Sequence, residues 1–487
     1  MFFEDNKPMD CDEGGSCRVK ENGCEQTSEC APLGAAFICG LSHRCFDTSE
    51  AISSGFCDEP VYPVNDSRDE ILFVGSLIDR AGDGAAIENG IRLAIEEFNE
   101  YAELVVEGHR KVAWFACDTR GDKIRALEIA RFLVGSSDSA SAVGASALIG
   151  PLADDVFSDV VEQVSLVGNL NTFTISPTAI VESFGPEDPG RVIWRAGPGA
   201  TRYAHAMLDR LNDVAPVRLL TIFSTAPRQW ELFNSIAVKK VTFGQERWWI
   251  NIDDVNGEMG PQAITSYGDV EQIAAAVEAA ISADLGGPPD TLILLGGDET
   301  GLVLEEYVEQ GGVIPPLILA PRWGVTGIQD ALTRIADGQV QTAIELISPE
   351  MPNPSTTSAF TSRYSTRFQS TPPIEAHQAY DATLITLFSM AGVTDGTIVG
   401  PKISSVMRAL LNGDAPVISA ADPGNTFEAG ASALANGNDV ALNGAAYRIQ
   451  IDAARREVCT DFVAYSPDDI EIARYQVNCP VEITGSW

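Results

Sequence analysis

Short unbroken apolar runs alternate along most of the chain with longer segments whose apolar residues recur every three or four positions. Ile71–Leu77 is the first such run, and Ala85–Leu104 follows it with Ile87, Ile91, Ile95 and Phe98 on one stripe, the spacing of an amphipathic helix. Lys111–Cys117 then predicts a strand, Lys123–Val134 a helix, Ala147–Gly150 a strand, Val156–Leu166 a helix and Thr172–Ser176 a strand. The pattern restarts further on, with strands at Arg218–Ser224, Thr291–Gly297 and Leu317–Pro321 and helices at Val270–Ala283 and Leu302–Gln310. Trp248-Trp249-Ile250 reads as one more buried strand. Strands that are apolar throughout, rather than at alternate positions, have helices over both faces. The expected fold class is therefore α/β, with two doubly wound parallel-sheet lobes. Ligands of such sheets bind beyond the carboxyl ends of the strands, which places a cleft between the lobes.

The first 60 residues carry no such pattern. Cys11, Cys17, Cys24, Cys30, Cys39, Cys45 and Cys57 fall there, and only Cys117, Cys459 and Cys479 follow. A segment with so little aliphatic content cannot bury enough surface to fold without covalent help. Zinc modules use closely spaced Cys-x2-4-Cys pairs, and the wider, irregular intervals here favour a small disulfide-rich module, formed in an oxidising compartment. The number of cysteines in the module is odd. One of them therefore pairs outside the module or stays free; Cys57, at its exit, with Cys117 is the expected pair and Cys459 with Cys479 the last bridge, although spacing does not determine the connectivity. Residues 58–70 are polar and proline-bearing, the composition of a linker. The module is placed at 1–60 and the linker proper at 61–70.

Charge narrows the function classes. The chain has 487 residues, with 32 Lys+Arg against 69 Asp+Glu and a formal net charge of −37. Such a polyanion is repelled by nucleic acid and by anionic membranes. No apolar run is long enough to span a bilayer. The opening Met1-Phe-Phe-Glu-Asp-Asn6 lacks the basic and apolar regions of an export signal, so the sequence reads as a mature chain from which that signal has gone. Pro8-Met9-Asp10 before Cys11 is not a lipobox, and a lipid anchor in the native precursor stays open. The histidines (His43, His109, His205, His377) have no metal-ligand spacing. There is no Gly-x-Ser-x-Gly elbow, phosphate loop or dinucleotide fingerprint. Asp253-Asp-Val-Asn-Gly-Glu258 is oxygen-rich but out of EF-hand register, and reads as a turn. No enzyme activity, metal or cofactor is expected.

An opening run and five further motifs in order carry a family resemblance. The run Ile71-Leu-Phe-Val-Gly-Ser-Leu-Ile-Asp-Arg80 with the helix to Asn99 resembles the opening of the type I periplasmic solute-binding proteins, in particular the branched-chain amino acid receptors of ABC transporters. Ala116-Cys-Asp-Thr-Arg-Gly-Asp122, Leu148-Ile-Gly-Pro-Leu152 and Ile175-Ser-Pro-Thr-Ala179 resemble its next strand ends. Glu375-Ala-His-Gln-Ala-Tyr-Asp-Ala382 resembles its Tyr-Asp-Ala helix, and Leu442-Asn-Gly-Ala-Ala-Tyr-Arg-Ile449 its closing strand. The resemblance covers about residues 70–487. It implies lobes joined by three crossovers, near Arg195, Ile344 and Asn436, hence lobe 1 at 71–195 with 345–435 and lobe 2 at 196–344 with 436–487.

The resemblance also implies a clamp for an amino acid, in which first-lobe hydroxyls and N–H groups hold the carboxylate and a second-lobe acid holds the ammonium. Residue by residue, that clamp is altered. The first-lobe hydroxyl position falls at Asp154; the backbone-donating position is Thr178, and the hydroxyl expected two residues on is Ile180. The second-lobe acid is replaced by Arg322, followed by Trp323, and a guanidinium suits an oxyanion rather than an ammonium. Trp230 is the nearest aromatic to the second lobe's first strand end. Asp83 and Gly84, in the first strand-end loop, and Asp298 complete the candidate ligand-binding set. Simpler readings stand beside these: Asp154, Asp155, Asp298 and Glu299 as helix caps, Trp230 as core, and Tyr380 as packing. The function expected is an extracytoplasmic solute-binding protein, periplasmic or at the cell surface, that closes on a small polar or anionic solute for an ABC permease or a membrane sensor. The alternative is an adhesion or interaction protein that uses the scaffold and the cysteine module to bind a partner.

Overall fold

The computed structural model describes residues 54–61, 71–104, 111–134, 143–165, 172–181, 188, 190–238, 262–335, 338–350, 354–394, 398–410 and 416–476, with short pieces of the first 50 residues. The turn at Asp253–Glu258, the pair Trp248-Trp249 and Cys479 lie outside them.

The first lobe opens with β1 (Ile71–Ile78), α1 (Gly84–Tyr101), β2 (Lys111–Asp118), α2 (Lys123–Val134), β3 (Ala147–Ile149), α3 (Asp154–Val160), β4 (Phe173–Ser176) and β5 (Ile193–Arg195). Its helical stripe and buried strands follow the sequence pattern; Ile91 and Phe98 of α1 are fully buried. The second lobe follows with α4 (Ala200–Val214), β6 (Leu219–Ser224), α5 (Pro227–Val238), β7 (Gln262–Tyr267), α6 (Ile273–Ile281), β8 (Thr291–Leu295), α7 (Thr300–Glu309), β9 (Leu317–Pro321), α8 (Val325–Ile335), α9 (Gly338–Ala343) and β10 (Ile344–Pro349). The chain then returns to the first lobe through α10 (Pro354–Phe368), α11 (Ile374–Ala391), α12 (Gly400–Val406), β11 (Val417–Ser419), α13 (Pro423–Ala435), β12 (Ala441–Asn443), β13 (Arg448–Asp452) and β14 (Glu457–Cys459). It ends its described course in the second lobe with β15 (Phe462–Tyr465) and β16 (Glu471–Tyr475).

The nine-stranded sheet of the first lobe runs β11-β12-β13-β14-β5-β4-β3-β1-β2, and the seven-stranded sheet of the second runs β7-β6-β8-β9-β10-β15-β16. Their central strands are parallel, so their carboxyl ends share one side of each sheet.

This topology moves two of the expected crossovers. The second lies beyond Pro349 and not at Ile344, because β10 pairs parallel with β9 inside the second sheet. The third lies between Cys459 and Phe462 and not near Asn436, because β12, β13 and β14 are an antiparallel run that rejoins the first sheet, with Glu457 opposite Arg195 of β5. Apolar periodicity marks a strand but carries no label for the sheet it joins.

The polar stretch from Asp58 is not wholly a linker. Residues 56–61 lie antiparallel along the outer edge of β2, where the Asp58 N–H donates to Ala116 O (2.8 Å), the Asp118 N–H to Phe56 O (2.9 Å) and the Val61 N–H to Trp114 O (2.9 Å). Main-chain bonds of this kind are indifferent to side-chain polarity, and they cover an otherwise open sheet edge. Cys57 is disulfide-bonded to Cys117 at the centre of this strip. Arg80 adds an ion pair to Asp58 (2.7 Å). Cys459 and Cys30 are also disulfide-bonded, and two short ladders set Cys11 opposite Cys17 and Cys39 opposite Cys45.

A buried charge network sits where the chain passes between lobes. The Glu457 carboxylate accepts from Arg195 Nη2 (2.8 Å), the Gly199 N–H (2.7 Å) and Arg202 Nε (2.6 Å), and Arg202 also pairs with Asp452. Arg202 belongs to the second lobe and both acids to the first.

Candidate functional site

The strand ends β3, β4 and β6 bring together the residues at the mouth between the lobes. Asp154 occupies the first turn of α3, just past β3, and its side chain is buried. One carboxylate oxygen, Oδ1, accepts from the backbone N–H groups of Ile180 (2.6 Å) and Val181 (2.9 Å), which follow β4. The other, Oδ2, accepts from Nε of Arg228 (3.0 Å), which reaches across from α5 of the second lobe. Nη2 of the same guanidinium donates to Thr178 O (2.8 Å) and Leu152 O (3.4 Å). The Thr178 hydroxyl donates to Leu152 O (2.9 Å). Asp154 and Thr178 are thus brought together as expected from their places, but both are engaged by the protein itself.

Neither acid of the Asp154/Asp155 pair caps α3 through its side chain. Asp155 pairs instead with Lys123 (3.3 Å), which also meets Asp159 (3.0 Å). Both carboxylates still sit in the first turn, where the helix dipole favours them.

On the second-lobe side, the Trp323 indole N–H donates to Gly296 O (2.8 Å). Its ring lies 4.9 Å from that of Tyr203, and the Arg228 guanidinium stands over it at 5.6 Å. Trp323 is therefore a half-buried wall between Arg228 and the core of the second lobe. Glu299 accepts from its neighbour's Gly297 N–H (3.0 Å) and from the Tyr267 hydroxyl (3.2 Å). Asp298 is exposed beside it. Incomplete solvation, with the negative charges of Glu299, Asp83 and Asp330, holds its carboxyl above the usual range.

Asp83 precedes α1 without capping it and is exposed. Gly84 has a steric reason: a Cβ there would stand 1.6 Å from the carbonyl oxygen of Asp79, so no other residue fits the start of α1.

Arg322 differs from its expected state. Arg322 is not an unpaired cation at the cleft: its Nη2 donates to Asp469 Oδ1 (2.9 Å) and its guanidinium lies 5.0 Å from the Tyr465 ring centroid. A long side chain that follows a strand end can fold back over the neighbouring strands, and here the β15–β16 hairpin of the second lobe supplies both partners. Trp230 stacks on Phe223 (5.8 Å) and lies 5.9 Å from Phe233, at the edge of the second lobe's aromatic packing, and stays 44% exposed. Arg322→Ala is expected to cost about 0–1 kcal/mol, the range of partly exposed pairs, and to leave the affinity of any bound solute unchanged. Thermal unfolding with and without solute checks this; a tenfold weaker solute would return Arg322 to the cleft.

Sequence reasoning missed Arg228, two residues before the candidate Trp230, and Glu375, the first residue of the motif that ends at Ala382. Glu375 lies in the first turn of α11. Burial raises its carboxyl, Asp83 and Asp298 add to the rise, and Arg228 opposes it. Gln378, one turn on, donates to the Tyr447 hydroxyl. His377 faces the other way, with Nδ1 on Pro373 O (3.1 Å) and Nε2 near the Thr361 hydroxyl (3.4 Å), and burial lowers its pKa. Tyr380 packs in the core and donates to Glu97, which Arg363 also binds.

Solved structures with this arrangement share little sequence with it. An amino acid ABC transporter substrate-binding protein from Pseudomonas fluorescens Pf-5 is similar at 15% identity and a TM-score of 0.58, over 85% of this chain and 97% of that one. A branched-chain amino acid transporter substrate-binding protein from Streptococcus pneumoniae, in complex with isoleucine, is similar at 14% identity and a TM-score of 0.56, over 84% and 99%. An ABC transporter solute-binding protein from R. palustris, in complex with benzoate, is similar at 16% identity and a TM-score of 0.53, over 84% and 98%. The fold is that of the type I periplasmic binding proteins. No protein-family model and no curated protein matches the chain. Before β1, residues 56–61 are bonded to the edge of the first lobe.

Proposed function

We propose that this protein is an extracytoplasmic solute-binding protein that closes its two lobes on a small polar solute and hands it to an ABC permease or a membrane sensor. The fold supports the binding role, and the Cys57–Cys117 disulfide supports an oxidising compartment.

The observation that carries the choice of solute is Glu375. Its carboxylate accepts its own backbone N–H, among the described residues no side-chain donor is bonded to it, and Asp83 and Asp298 are the acids that act on it. Arg228, the cation nearest the mouth, is already bound by Asp154, and Arg322 by Asp469. The unused capacity of the cleft is therefore for accepting hydrogen bonds. This favours a solute that brings donors, an amine, amide or polyol, over the anion that Arg322 suggests in sequence.

A thermal-shift screen of the full chain against amines, polyols, amides, amino acids and dicarboxylates tests the reading, because a ligand of the folded state raises the melting temperature. Donor-bearing solutes should give the shifts, and Glu375→Gln should weaken them by about tenfold or more, the worth of one charge-assisted bond. Shifts confined to carboxylates, or an unchanged response in Glu375→Gln, would defeat it. A panel with no response at all would favour the interaction protein.

A further inference from the structure

We propose that Asp154 is a built-in occupant of an oxyanion site, and that it is the residue by which the cleft excludes carboxylate-bearing solutes. The inference deepens the proposed solute reading by naming what is kept out. Three donors converge on this one carboxylate from both lobes: the Ile180 and Val181 N–H groups on Oδ1 (2.6 and 2.9 Å) and Arg228 Nε on Oδ2 (3.0 Å). The carboxylate they surround is 4% exposed. Two successive main-chain N–H groups beside a guanidinium form a site for a planar oxyanion. The guanidinium is itself fixed in place by Thr178 O and Leu152 O, so the donors are positioned independently of Asp154.

In the folded chain the anion comes from within. A solute carboxylate would have to displace Asp154 from all three donors and would then meet a displaced like charge at short range, which is unfavourable on both counts. A neutral or cationic solute meets no such competition, since the Asp154–Arg228 pair is neutral in sum. The pair also bridges the lobes, and the same bonds that exclude an anion hold α3 against α5.

Asp154→Ser in the full chain removes the internal carboxylate and leaves the three donors. Formate, acetate and benzoate are the probes, followed by calorimetric titration and by melting temperature, with chloride at matched ionic strength as control. The wild type is expected to show no saturable response. Asp154→Ser should bind the carboxylates at least about tenfold more tightly than the wild type, a charge-assisted gain, and Arg228→Gln in that background should remove the gain. If Asp154→Ser is too unstable to titrate, formate should raise its melting temperature or its refolding yield while chloride does not. Carboxylates that bind the wild type as tightly as the variant overturn the proposal. So does a variant, folded or poorly folded, that formate affects no more than chloride. A wild type that binds no solute of any class, beside an Asp154→Ser variant that binds formate, would defeat the proposed function and sustain this inference.

Discussion

Glu457→Ala should lower the free energy of unfolding by about 3–5 kcal/mol, the cost of stranding a buried charge, read as a shift in denaturant midpoint at unchanged slope. Glu457 is 0% exposed. Its carboxylate is shared by Arg195 and Arg202, and it also takes the Gly199 N–H. Its loss removes an acidic partner from both guanidiniums at once, while the bonds of Arg195 to Val181 O and Arg455 O and of Arg202 to Asp452 remain. Arg195 ends β5, where the chain leaves the first sheet, and Arg202 is in the first turns of α4 in the second lobe. The loss therefore falls on the hinge between lobes as well as on the core. Glu457→Gln, which keeps the shape but not the charge, should fall between wild type and alanine. A loss below about 1 kcal/mol, the level of an exposed pair, would show that desolvation had already cancelled the attraction.

Asp381→Ala should cost about 3 kcal/mol or more, because it leaves several buried donors unmade at about 1–3 kcal/mol each. Oδ1 accepts the Ala445 N–H (2.5 Å), and Oδ2 accepts those of Ala446 (2.9 Å) and Tyr447 (3.2 Å). These bonds hold the β12–β13 turn, and Tyr447 with it, on α11. Gly444 in that turn leaves room for the carboxylate: a Cβ would stand 2.2 Å from Oδ2. Burial pushes the Asp381 carboxyl up to about 7, against the pull of the three N–H groups. The unfolded chain releases this proton near pH 4, and the folded chain retains it to about 7. The contribution to stability is thus full below about pH 4 and is lost as pH rises through about 7. Urea unfolding of wild type and Asp381→Asn at pH 5 and pH 8.5 checks the sign. The wild type should lose stability relative to the variant at the higher pH; a relative gain would reverse the assignment.

The α/β architecture was legible because strands covered on both faces must be apolar throughout, as Ile71–Ile78 is, and helices covered on one face must be striped, as α1 is. The odd number of cysteines in the module left one to pair outside it or stay free, and the structure gives Cys57–Cys117. Crossover positions were not legible: β12 to β14 look like second-lobe strands until the parallel pairing of β14 returns them to β5. Of the candidate residues, the nearness of Asp154 and Thr178 was legible and their bonding was not. Asp154 and Thr178 stand where the motifs put them, yet their bonding is decided by Arg228, which no local pattern marks.

By itself the sequence determined the kinds of element, their order, the two-lobed class, the crowding of cysteines near the start and the acidic balance. All of these depend on composition or on periodicities within a single helix or strand. Only the tertiary structure decided which charge meets which. Asp154 and Arg228 are 74 residues apart, and Arg322 and Asp469 are 147 apart. A hydrogen bond or ion pair is set by distance through space, which exists only after the sheets have formed. That is why the most conspicuous arginine in the sequence, Arg322, is satisfied within its own lobe, while Arg228 spans the mouth of the cleft.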